Sequence, residues 1–145
     1  MTNAIEIAVS HQLGAFTLAA DFTSDGRLTA LLGPSGSGKT SLVNIIAGLT
    51  RPERGRIAID GQVLLDSEHG IFVPTHRRRI GYVFQAPRLC PHLTVRGNIA
   101  YAWDRAPRRL MPTLEEIARF FDIDAHLDRR VGNLSGGEKS RVSLA

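Results

Sequence analysis

Cysteine is nearly missing: Cys90 is alone in 145 residues. A lone cysteine excludes an internal disulfide and fits a reducing compartment. Aromatics are scarce, at 6%. No run approaches the ~18 consecutive apolar residues of a membrane-spanning helix. The opening MTNAIEIAVS has no basic region followed by an apolar stretch, so no secretory signal is expected. Together these absences predict a cytosolic chain. His11, His69, His76, His92 and His126 show no metal-ligand spacing and are expected on the surface or in loops. Acidic residues are outnumbered, 14 against 18 basic, for a net charge of +4. Such a balance suits nucleic acid, an anionic surface or a phosphate ligand, or simply a solvated basic face. The basic clusters at residues 75–79, 105–109 and 128–130 are short and carry no interleaved aromatics that could stack bases. Nucleic acid is therefore not an expected partner.

What is present is an ordinary globular composition, 43% hydrophobic and 22% charged, long enough for one domain with a core. AIEIAVS alternates apolar residues at Ile5, Ile7 and Val9 and predicts a strand. GAFTLAADF predicts a second, with Phe16, Leu18 and Ala20 on one face. RLTALLG is a short apolar run stopped by glycine, the pattern of a strand buried on both faces. A helix follows, with Leu42, Ile45, Ile46 and Leu49 at helical spacing and Gly48 near its end. GRIAIDGQVLLD predicts a hairpin turning at Asp60-Gly61, and RIGYVFQ another strand. Beyond Gln85 the texture changes to a proline-rich loop. A helix capped by Thr94 is expected next, then an amphipathic one. There Thr113 and Glu116 form a capping box, and Leu114, Ile117, Ala118 and Phe121 make the apolar stripe. Trp103 reads as helix packing, and Cys90 has no assigned role. The fold expected is α/β: a strand-rich part over residues 1–87, then a helical part over 88–145.

Between the third predicted strand and the first helix lies GPSGSGKT, a complete G-x-x-x-x-G-K-[ST] motif in strand-turn-helix context. Glycines let the backbone curl so that several N–H groups point at phosphate oxygens. The helix N-terminus adds partial positive charge. The expected nucleotide site is Gly33, Pro34, Ser35, Gly36, Ser37, Gly38, Lys39, Thr40 and Ser41. Lys39 would reach the β- and γ-phosphates, and the Thr40 hydroxyl would hold Mg²⁺. A glycine-rich turn without ligand is the plain alternative; the complete motif in context argues against it. Charge-assisted hydrogen bonds of about 1.5–3 kcal/mol each predict that phosphate, not base, dominates affinity.

The chain ends in NLSGGEKSRVSLA. Ser135 and Glu138 alone make an ordinary capping box. Gly136 and Gly137 in a first helical turn cost about 1 kcal/mol each. That loss makes sense where another body approaches the backbone closely. LSGGE resembles the signature of ABC-type ATPases, which usually reads LSGGQ, with Glu138 the one departure. YVFQ, ending at Gln85, resembles that family's Q-loop, and PHLTVRGNI resembles what commonly follows it. The motifs stand in the family's order and the resemblance covers nearly the whole chain.

The resemblance implies a P-loop NTPase fold of the ABC type: a core with antiparallel strands and a helical subdomain ending in the signature helix. It implies ATP and Mg²⁺ as ligands, with Gln85 contacting Mg²⁺ or the attacking water. It implies a homodimer in which Ser135, Gly136, Gly137 and Glu138 meet the γ-phosphate held by the partner's loop. A membrane permease subunit is expected to dock near residues 85–93, placing the protein peripherally on the cytoplasmic side of the inner membrane. The family's aromatic base platform aligns best with Leu13, which is not aromatic; Phe16 is nearby, but its alternation with Leu18 favours the core. The Asp-Glu pair that the family places on the strand after the signature helix does not occur in the sequence. The chain is therefore expected to be a fragment, inactive in hydrolysis by itself. Residues 66–102 resemble the ATP-binding subunits of molybdate importers within this family. Importers of another oxyanion, a metal or a polyamine, a non-catalytic remnant, and a soluble ATPase acting on nucleic acid or the ribosome are the alternatives.

Overall fold

The computed structural model describes residues 4–104 and 112–145. The chain divides into two compact units, Met1–Gly81 and Tyr82–Ala145. The basic cluster at residues 105–109 lies outside the described residues.

The first unit is built on a five-stranded sheet in the order β2-β1-β3-β4-β5. The strands are β1 (Ile5–Leu13), β2 (Phe16–Ser24), β3 (Arg54–Ile59), β4 (Gln62–Asp66) and β5 (Ile71–Phe72). Every neighbouring pair is antiparallel. The β1–β2 register runs from Ile5↔Ser24 to Leu13↔Phe16, so the predicted alternation is realised along both strands. Asp60 and Gly61 turn β3 into β4 with φ of 52° and 77°, the doubly left-handed backbone that an Asp-Gly hairpin favours. Ile7, Val9, Leu18, Ile57, Leu64 and Leu65 are buried, and they pack with Leu42 and Ile45 of helix α1 (Lys39–Ala47). Burying each such side chain contributes roughly 1.5–3 kcal/mol.

The C-terminus of α1 has two devices. Gly48 takes a left-handed φ of 80°, and its N–H returns to the Ile45 carbonyl. Arg78, only 4% exposed, donates from Nη1 to the Ile45 and Ile46 carbonyls at 3.0 and 2.7 Å. Leu49, which fitted the helical spacing, falls beyond this stop and is half exposed.

Two expected strands do not form. Residues 27–34 and 79–84 carry no ladder, and Leu28 and Leu32 are each 91% exposed. A strand buried on both faces needs a hydrogen-bonding neighbour on each edge and a layer over each face. The antiparallel sheet closes its own order without these segments. Only Leu31 and Ile80 turn to the core from them.

The second unit holds α2 (Val95–Trp103), α3 (Leu114–Phe120) and α4 (Gly136–Leu144). Thr94 caps α2 by accepting from the Gly97 N–H. Thr113 and Glu116 form the predicted capping box on α3. Val95, Ile99, Ile117, Ala118, Ile123, Leu127, Val131, Leu134 and Val142 make one core, with Trp103 packed against it as expected. Asn98 ties down the loop that precedes α2: its Oδ1 accepts from the Cys90 N–H at 2.7 Å and its Nδ2 donates to the Cys90 carbonyl at 3.2 Å. Among the described residues no helix is long and apolar enough to cross a membrane.

Candidate functional site

The glycine-rich turn connects residues 27–34 to α1. Its backbone is left-handed at Gly36 (φ 81°) and Gly38 (φ 85°). At Gly38 the left-handed backbone favours glycine, and a Cβ would stand 2.9 Å from Leu18 Cδ1 and 3.2 Å from Phe16 Cε1, which would have to give way. Gly38 caps α1 without any side-chain hydrogen bond, and the first turn carries no acidic residue. The N–H groups of Lys39, Thr40 and Ser41 have no intrahelical acceptor, and no carboxylate opposes an anion there.

Lys39 folds back over the turn. Its Nζ donates to the Gly33 carbonyl at 2.8 Å, the Pro34 carbonyl at 2.7 Å and Ser37 Oγ at 3.2 Å. Phosphate oxygens are acceptors of the same kind, so the ammonium can exchange partners without losing a bond. The cleft over the turn, about 420 Å³, is lined by Leu13, Phe16 and residues 35–41. Phe16 is 45% exposed on its rim, not in the core where its alternation with Leu18 had placed it; only Leu18, at 5%, is buried. The strand register explains the difference. Phe16 is the first residue of β2, paired with Leu13 at the end of the ladder, beyond the cover that α1 gives Leu18.

A larger cleft of about 790 Å³ lies over Glu53, Arg54, Arg56 and residues 66–69. Its two principal carboxylates are already engaged. The Gln12 N–H and then His11 hold Glu53 below the usual carboxylate range. The His69 N–H and ring do the same for Asp66. Arg54 and Arg56 line it as well, and Arg56 Nη1 donates to Glu6 Oε2 at 2.7 Å.

In the second unit, Ser135 caps α4 and the reciprocal box is complete. Glu138 Oε2 accepts from the Ser135 N–H at 2.6 Å, and the Glu138 N–H donates to Ser135 Oγ at 3.3 Å. Ser135, through its hydroxyl and then its N–H, keeps the Glu138 carboxyl below the usual range, with the charges of His126 and Arg129 adding to the effect. Ser135, Gly136 and Gly137 are exposed. Neither glycine has a positive φ, and a Cβ at either would meet nothing within 4 Å. The fold itself therefore does not require glycine at these two positions. Gln85 is exposed in a bend of the second unit, beside Phe84, whose ring carries the Arg88 guanidinium at 4.5 Å.

The histidines expected on the surface or in loops include three with carboxylate partners. His11, His69 and His126 each stand within 3.0 Å of a carboxylate oxygen. His126 and Glu138 are twelve positions apart, across the whole approach to α4, and no local spacing rule joins them.

The family model for ABC transporters matches residues 21–145. The chain is 51% identical over 141 residues to the molybdenum import ATP-binding protein ModC of Rhizobium meliloti, covering 97% of this chain and 40% of that protein. It is 46% identical to the ModC of Salmonella choleraesuis, covering 97% and 39%. The chain thus spans about two fifths of the length of the curated relatives it matches. Among solved structures, an ATP-binding subunit of an ABC transporter superposes with a TM-score of 0.71 at 26% identity, over 97% of this chain and 59% of that one. The ATP-binding cassette MJ0796, in a dimeric post-hydrolysis state bound to ADP and Pi, superposes with a TM-score of 0.67 at 25% identity, over 97% and 67%.

Proposed function

Since this chain belongs to the ABC transporter family, we propose that it carries the nucleotide-binding core and signature helix of the ATPase subunit of a molybdate importer. The observation that carries the nucleotide reading is the glycine-built turn over α1. Its cap is left open by side chains, and Lys39 is held at its mouth by oxygens alone. In this reading Lys39 transfers its donors to the β- and γ-phosphates, and the exposed N–H groups of the first turn take the remaining oxygens. In the same reading the Thr40 hydroxyl would hold Mg²⁺, and Gln85 would contact the metal or the attacking water. Bound Mg-ATP supplies the phosphoryl group and the metal that spreads its charge. Phe16, half exposed on the rim of the cleft, is the better candidate for contact with the base than Leu13.

The signature turn is read as the complement of the loop. Gly136 and Gly137 are unexplained by their own conformation and packing. They fit the close approach of a phosphate held by a second copy of the protein. A homodimer with two such composite sites is supported by the dimeric state of the solved relative MJ0796. Docking of a membrane permease subunit at residues 85–93, and a place on the cytoplasmic side of the membrane, rest on the import role of the curated relatives. The functional division between core and helical subdomain is proposed at residues 87/88, beyond the boundary of the compact units at Gly81.

The 145 residues contain no Asp-Glu pair. A general base contributes about 10²–10⁴ in rate, so we infer that this chain alone turns ATP over near background. Titration calorimetry tests the nucleotide reading: Mg-ATP is expected to bind the chain, and unchanged affinity in Lys39→Ala would remove its basis. Deleting the gene tests the cargo. Molybdoenzyme activity at low molybdate is expected to fall, and an untouched activity in a host with no second uptake system rejects molybdate.

A further inference from the structure

The fifth signature residue is a glutamate, and its carboxylate has two ends. Oε2 closes the capping box on the Ser135 N–H. Oε1 lies 3.0 Å from Nε2 of His126. His126 ends a short 3₁₀ turn, Asp124–His126, between α3 and the signature helix. Its backbone is fixed: its N–H donates to the Ile123 carbonyl at 3.0 Å and its carbonyl accepts from Arg129 at 2.9 Å. Ile123 and Leu127, on either side, are both in the core. A proton on Nε2 makes this contact attractive, whereas a bare ring nitrogen facing a carboxylate oxygen at 3.0 Å would be repulsive. The other nitrogen, Nδ1, is buried with no partner among the described residues. An apolar side chain there would avoid the cost of that unpaired nitrogen. What the imidazole adds is its contact with Glu138.

That contact bears on the signature turn in two ways. Glu138 reaches Ser135 only in the rotamer that closes the box, and His126 holds the far oxygen of the same carboxylate. Glu138 is also a negative group in the first turn of α4, where the helix N-terminus and the exposed Ser135, Gly136 and Gly137 would otherwise draw an anion. A donor or cation on Oε1 offsets that charge. Arg129 acts on Glu138 in the same sense.

We propose that His126 is a positioning residue for the signature turn. Through Glu138 it fixes the Ser135 cap and offsets the carboxylate where the phosphate of a second copy's ATP would approach. The proposal rests on the composite-site reading given above.

The test compares His126→Gln with His126→Asn in the 145-residue chain. A glutamine amide reaches the place of Nε2 and keeps the donor to Glu138; an asparagine amide reaches only the place of Nδ1. Self-association driven by Mg-ATP is measured by sedimentation, and the Ser135 amide resonance by nitrogen-edited NMR. His126→Gln should associate within about threefold of wild type and His126→Asn about tenfold more weakly, the range of coupling between neighbouring charged groups. His126→Asn should add no loss in a Glu138→Gln background. The Ser135 amide should shift in His126→Asn and return in His126→Gln. Equal association and an unmoved Ser135 amide in both variants overturn the proposal. Ser135→Arg separates the two claims. If it abolishes association while His126→Asn does not weaken it, the positioning role fails and the composite site stands. If wild type and Ser135→Arg behave alike, the composite site fails, and the Ser135 resonance alone decides whether His126 positions the turn.

Discussion

Two helices in this chain open on glycines, and they treat their N-termini in opposite ways. Helix α1 begins at a left-handed Gly38 with no side-chain cap and no acidic residue in its first turn. Helix α4 begins at Ser135 in extended conformation, with the cap hydrogen bond made and Glu138 inside the first turn. At α1 glycine is favoured by the left-handed backbone, and a Cβ would press on Leu18 Cδ1 at 2.9 Å. At α4 it is optional for the fold and costs helix stability. The contrast separates a helix N-terminus left open by its own side chains from a turn that is self-satisfied and differs from an ordinary cap only in its bare, exposed glycines.

The sharpest break in that comparison is Lys39→Ala. It removes the ammonium that rests on Gly33 and Pro34. Losing a charge-assisted group of about 1.5–3 kcal/mol should weaken Mg-ATP at least tenfold by calorimetry. Phe16→Ala should weaken it less, since the base contributes less than the phosphates. Gly38→Ala comes next. Forcing a Cβ into φ 85° against Leu18 should cost about 1–3 kcal/mol in denaturant unfolding and reduce nucleotide binding with it.

Gly136→Ala and Gly137→Ala should do the reverse in the other helix. Each is expected to stabilise the chain by about 1 kcal/mol, because helix propensity rises and the Cβ meets nothing. Each should at the same time weaken ATP-driven association. If both alanines leave association intact, the turn is an ordinary cap.

The smallest effect is in acid. Glu138, Glu115 and Glu116 are all held below the usual carboxylate range: by Ser135, by the Arg96 guanidinium, and by the Thr113 N–H and hydroxyl respectively. A depressed carboxylate stabilises the fold above its unfolded pKa of about 4.3. That stability is lost as pH falls through the lowered folded value. Thermal melts should therefore fall below about pH 4. In Glu138→Gln the acid slope should be shallower, and an unchanged slope would show that the box does not couple to folding.

Local chemistry made much of this legible. The Asp60-Gly61 hairpin, the three side-chain caps at Thr94, Thr113 and Ser135, and the helix after the glycine-rich turn all follow from neighbours within a few residues. The misses depend on distant partners. RLTALLG and RIGYVFQ have the composition of buried strands, yet no neighbouring strand among the described residues supplies a ladder, so Leu28, Leu32 and Val83 stay exposed. Phe16 obeys the period-two pattern, but it sits at the last rung of its ladder and so meets the cleft instead of the core. His126 and Glu138 are joined only by the fold of the second unit.

The central claim is that the loop of one copy and the signature turn of another make one site. Mixing two defective chains tests it most directly. Lys39→Ala keeps its signature turn and loses its loop; Ser135→Arg keeps its loop and loses its signature turn. Neither alone can form an intact composite site, while a mixed pair forms one. Sedimentation with Mg-ATP should show no dimer in either variant alone and a dimer in the equimolar mixture. A mixture that stays monomeric while wild type dimerises, or a Ser135→Arg chain that dimerises by itself, would contradict the account.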